Sequence, residues 1–208
     1  MDERVRWAGE LYERAIFNGD AAGLATADRE LDAAEADLVL ARGKVLHGRF
    51  LENRVEDPRE LELFERALAL YNSVDDERGQ ALAFFWIGCF HQVVRDDTEP
   101  AVSALTLSRE LATKTGDDLT LSYALRHLGV AAHSAGNLDQ ARALLEESTA
   151  IRRTLGFTAG VAANLVGLIY LADGDDVGAL ADEAAELAAS VGAATISAQI
   201  EAARRSRL

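Results

Sequence analysis

Apolar residues recur along this chain at helical spacing, in runs that come in pairs. The clearest pair lies in residues 123–156. There Leu125, Leu128, Ala132 and Ala135 share a face of one predicted helix, and Ala141, Leu144, Leu145, Ser148 and Ile151 share a face of the next. The polar break Gly136-Asn137 separates them, with Asn137 suited to cap the second helix and Gly156 to stop it. One hairpin of this kind cannot bury both of its apolar faces, so it requires neighbours of the same kind. Glycines 9, 48, 88, 129 and 167 locate those neighbours. They lie 39, 40, 41 and 38 residues apart, each in an apolar run followed by a polar break and a second run. The breaks are Asn18-Gly19-Asp20, Glu56-Asp57-Pro58, Thr98-Glu99-Pro100, Gly136-Asn137 and Gly174-Asp175, and the only prolines open second helices.

The spacing predicts an all-α chain of five helix-turn-helix repeats, at residues 3–35, 37–74, 80–115, 119–156 and 158–191. A closing helix over 193–208 presents Gln199, Glu201, Arg204 and Arg205 as the polar outer face that the end of a stack requires. No strong breaker separates Leu24 from Arg42, so the boundary between the first two repeats is poorly marked. Phe84, Phe85, Trp86 and Phe90 place the largest apolar side chains in the third repeat. Runs of alternating Val, Ile and Thr are missing, which argues against sheets.

The succession Leu128-Gly129, Ala141, Glu146-Glu147-Ser148 and Leu155-Gly156 resembles a tetratricopeptide repeat, in the slightly lengthened form of large bacterial regulators of the AfsR and MalT kinds. The small residue twelve after the glycine is matched by Ala21, Ala141 and Ala179, and by Ala101 with one residue inserted. Repeat two departs from the pattern, with Glu60 at the small position and Lys44 at an apolar one. The resemblance implies a right-handed α-solenoid of about five repeats plus a C-terminal capping helix, forming a single domain over 1–208. It also implies a concave face lined by first helices, where a protein or peptide partner is held.

Composition adds the setting. At 208 residues and 49% hydrophobic content the chain can bury a substantial core. A net charge of −14 opposes nucleic-acid binding, because a phosphate backbone needs a basic surface. The longest apolar run, residues 81–90, is too short to cross a bilayer, and the start of the chain is charged rather than signal-like. With one cysteine there is no internal disulfide framework, and a cytoplasmic setting is the expectation. An end repeat with an uncovered apolar face is expected to self-associate as a homodimer.

The face implied by the resemblance carries the candidate site residues: Arg6, Arg42, Arg49, Asn53, Phe85, Cys89, Gln92, Tyr123, Arg126, His133, Asn164 and Leu168. Its cations are all arginines, whose planar fork makes paired hydrogen bonds to carboxylates. The functional expectation is a scaffold or adaptor whose groove accepts an anionic group, most simply a carboxylate of a peptide or small molecule. Phe85, Tyr123 and Leu168 would wall the pocket. The competing explanation pairs these arginines with acids such as Glu10, Glu13 and Glu52 and leaves only a solvated face. A ligand-sensing regulatory module, and a small-molecule-binding accessory protein or enzyme of a biosynthetic pathway, are the alternative classes. No cofactor or metal is expected, since His127 and His133 are six apart and point to different sides of their helix. Cys89 and His133 would be a thiol and its base if they met; otherwise Cys89 is a small apolar filler.

Overall fold

A computed structural model describes residues 2–174 and 176–207, among which there are ten α-helices and no strand. In chain order they are α1 (Glu3–Asn18), α2 (Leu24–Asn53), α3 (Arg59–Ser73), α4 (Glu77–Val93), α5 (Thr98–Thr115), α6 (Asp118–Ser134), α7 (Leu138–Thr154), α8 (Thr158–Leu171), α9 (Asp176–Ser190) and α10 (Ala194–Arg207). Consecutive helices pack in pairs, and the chain forms two compact units that meet in sequence at Leu111 and Ala112, within α5.

In the first unit the core is built by Ala36, Val39 and Leu40 of α2, Phe64, Ala67 and Tyr71 of α3, and Ala83 and Phe90 of α4. Phe64 stacks on Trp86 with ring centroids 5.7 Å apart. The α2 helix runs unbroken for 30 residues. It therefore crosses the expected boundary between repeats one and two at residues 35–37, for the reason visible in the sequence: no glycine, proline or capping cluster interrupts the Ala- and acid-rich stretch there. The marker glycines divide accordingly. A Cβ on Gly88 would meet Leu105 at 2.6 Å, and one on Gly129 would meet Leu145 at 3.1 Å, so these two admit close approach of the following helix. Gly9 and Gly48 meet nothing within 4 Å, and the close approach between α2 and α3 falls instead at Gly43, against Phe64. Of the expected small positions, Ala101 and Ala141 are fully buried. Ala179 is exposed, its packing role in α9 being taken by Ala181.

The second unit has its own core, in which Leu125 and Ala132 of α6, Leu144 and Leu145 of α7, Leu165 and Ile169 of α8, Ala181 and Ala184 of α9, and Ile200 and Ala203 of α10 come together. Five junctions between helices are closed alike. The backbone N–H groups of Asp76, Asp117, Asn137, Phe157 and Ala193 each donate to the carbonyl five residues back, on Tyr71, Ala112, Ala132, Arg152 and Ala188, at 2.9 Å. The residue before each has positive φ: Asp75 (57°), Gly116 (66°), Gly136 (78°), Gly156 (67°) and Gly192 (67°). In two of these junctions an aspartate then caps the next helix. Asp76 accepts from the Gly79 N–H at 2.9 Å and Asp117 from the Thr120 N–H at 3.3 Å. At the junction before α8, Phe157 stands where the aspartate would be, and no side chain caps the helix. No helix among the described residues is long and apolar enough to cross a membrane.

Candidate anion-binding site

The substitution at the Phe157 junction is matched by another. Five residues before the junction residue stand the buried Tyr71, Ala112, Ala132 and Ala188, whereas α7 carries a charged residue, Arg152, only 2% exposed. A guanidinium inside a core must donate its hydrogen bonds there, and the acceptors found are all neutral. Nη1 of Arg152 donates to the Gly160 carbonyl at 2.8 Å and to Asn164 Oδ1 at 2.9 Å. Nε donates to Ser122 Oγ at 3.3 Å. The guanidinium carbon lies 5.2 Å from the Tyr123 ring centre and 5.4 Å from that of Phe157, so the aromatic that replaced the capping aspartate supports the cation by its ring face.

A second guanidinium converges on the same amide. Arg126 on α6 donates from Nη1 to the Ala163 carbonyl at 2.6 Å and to Asn164 Oδ1 at 3.2 Å. Asn164, fully buried on α8, donates from Nδ2 to Ser148 Oγ at 2.8 Å, and Ser148 in turn donates to the Ser122 carbonyl at 2.6 Å. Among the described residues neither Arg126 nor Arg152 takes part in an ion pair. The electrostatics follow. Burial pulls Arg126 below the ordinary arginine range, and burial, with the nearby charge of Arg126, brings Arg152 down to about 10. A guanidinium keeps its proton at neutral pH, so the pair is dicationic. With 35 acidic residues against 21 basic ones, counter-ions are plentiful in this chain, and other arginines find them: Arg4 with Asp37, Arg95 with Glu56, Arg153 with Glu183. Two adjacent guanidiniums held by carbonyls and one shared amide leave a positive, desolvated locus suited to an oxyanion.

Of the sequence-predicted residues, Arg126, Asn164 and Tyr123 belong to this cluster. Leu168 packs in the core of the same unit, and His133 is exposed near the end of α6. In the first unit Phe85 is buried edge-on against Trp86, while Arg49 and Asn53 are exposed, the Asn53 side chain accepting from the Val55 N–H at 2.9 Å. Gln92 is half-buried, and Arg6 pairs with Glu3 at 3.2 Å on the surface. Arg42 lines a shallow pocket of about 340 Å³ with Leu46, Arg59, Glu62, Leu63 and Arg66. Two of its arginines are already paired, Arg59 with Asp57 at 2.6 Å and Arg66 with Glu35. Cys89 lies against His47, its Sγ 3.7 Å from Nε2, and His47 Nδ1 is 2.8 Å from Glu60 Oε1. Burial and the Glu60 charge push the Cys89 thiol up to about 12, so it stays protonated beside the imidazole.

Arg152, Ser122, Ser148 and Phe157 are the members that sequence reasoning missed. Arg152-Arg153 reads as cationic side chains completing a helix C-terminus. The signal that could have distinguished them is internal: aligned on the junctions, Arg152 is a cation where Tyr71, Ala112, Ala132 and Ala188 stand elsewhere, and Phe157 is an aromatic where Asp76, Asp117, Asn137 and Ala193 stand. Comparison with models of known protein families gave no match, and none was found among curated proteins.

Proposed function

We propose that the chain is a binding scaffold of tetratricopeptide type, whose second unit receives an anionic group, most simply a carboxylate of a peptide end or small molecule, at Arg126 and Arg152. The observation that carries this reading is the convergence of these two guanidiniums on Asn164 Oδ1, at 3.2 and 2.9 Å, without an acidic partner among the described residues. A carboxylate reaching them would exchange neutral acceptors for charge-assisted hydrogen bonds, each on the order of 1.5 to 3 kcal/mol. Arg126 is partly buried and Arg152 almost wholly so, which suits a narrow group better than a broad protein face.

Thermal unfolding with acetate or succinate against chloride at equal ionic strength tests the proposal. At a hundredfold excess over Kd the gain is about 2.7 kcal/mol, which in a chain of this size moves Tm by several degrees. The rise is expected with the carboxylates and lost in Arg126→Gln, whose helical circular dichroism should be intact. It should also shrink as pH approaches 10, where Arg152 begins to lose its charge. An equal rise in Arg126→Gln, or none with either carboxylate, overturns the reading.

A further inference from the structure

The face of α1 that carries its marker glycine is bare. In α4 and α6 that face receives the following helix at Gly88 and Gly129, but α2 packs on a different face of α1: Gly23 lies against Leu11, and Arg4 of α1 pairs with Asp37 of α2 at 3.0 Å. Leu11 is the one buried residue of α1. Val5, Gly9, Tyr12 and Ile16, at spacings of four, three and four, therefore form a continuous stripe facing solvent. Val5 is 45% exposed, Tyr12 61%, Ile16 61%, and Phe17 beside them 79%. An aromatic-rich apolar stripe of this size, unlike scattered single residues, marks an interaction surface.

We infer that this stripe is the interface of a homodimer in which α1 packs antiparallel against α1 of a second copy about a two-fold axis. The charges on one flank select the partner. Arg6 and Glu13 each follow a stripe residue, Val5 and Tyr12, so both project from the same flank, seven residues apart. In a two-fold antiparallel pairing each flank faces the same flank of the other helix, which brings Arg6 to Glu13 of the second copy, and Glu13 to its Arg6. The axis then passes between residues 9 and 10. Gly9 sits at that crossing, with nothing within 4 Å of where a Cβ would be, so the backbones can approach closely there. Val5 packs between Tyr12 and Ile16 of the second copy. The existing Arg6–Glu3 pair, 3.2 Å long and exposed, is weak enough to be exchanged. The inference is independent of the anion site, which lies in the other unit.

Charge exchange tests both the association and its geometry. Arg6→Glu sets two acids on the flank and Glu13→Arg two bases, so each variant alone should dissociate, with Kd raised about tenfold or more, as like charges replace opposite ones twice per dimer. Mixed together, the two should restore a dimer made of one copy of each, read by native mass spectrometry and sedimentation equilibrium. Ile16→Glu should give a monomer with unchanged circular dichroism, because the side chain is exposed. A wild-type chain that sediments as a monomer up to about 100 µM, a dimer indifferent to Ile16→Glu, or variants that fail to pair on mixing each overturn the inference.

Discussion

Glu60 and His47 carry the largest local consequence of single residues in the first unit. Glu60 is wholly buried, with Oε1 bonded to His47 Nδ1 and Oε2 without a hydrogen-bond partner among the described residues. In the sequence the pair shows only as an oddity, an acid where a small residue belongs, because the two residues meet across a helix pair. Lys44, the other oddity of that repeat, resolves by lying over the Trp86 ring, 5.4 Å from its centre. Removing one member of a buried polar pair strands the other, whereas replacing both with apolar groups does not. Glu60→Ala should therefore cost about 3 kcal/mol in urea unfolding, and Glu60→Leu combined with His47→Phe should recover most of it. A double variant as unstable as the single one would count against a pairing role. The same scale explains the blind spot at Arg152: beside Arg153 it reads as helix-end charge, and only its burial separates the two.

Among elements, the helices themselves follow from apolar periodicity, capping aspartates and positive-φ glycines, and the junctions at Asp76, Asp117 and Ala193 fall where the sequence breaks. What a glycine does in each helix depends on the neighbour that approaches it. Gly48 keeps the regular spacing in sequence, yet Gly43 meets Phe64, where an added Cβ would lie 2.5 Å from Cε1. Gly43→Ala should thus destabilise by about 1 to 3 kcal/mol through overpacking. Gly48→Ala, mid-helix and open, should stabilise by roughly 0.5 to 1 kcal/mol. Chemical denaturation of the two variants decides, and equal effects would mean that α2 and α3 do not pack in this register. The length of α2 belongs to the same scale: without a breaker, a helix expected to end near residue 35 continues to Asn53.

At the scale of the whole chain, a net charge of −14 opposes compaction by self-repulsion, and salt screens it. Raising sodium chloride from about 20 to 500 mM should increase Tm by a few degrees at pH 7.5; a decrease would mean that specific ion pairs outweigh the net repulsion. The sequence by itself determined the all-helical class and the rough placement of most helices, since periodicity and caps are local properties of a chain. The tertiary structure alone decided which glycines admit a neighbour, which of two adjacent arginines enters the core, and which face of α1 is left bare. Those outcomes depend on the rotation and register of one helix against another, set by side chains far apart in sequence, and a one-dimensional pattern with a repeat near 40 residues leaves that rotation free.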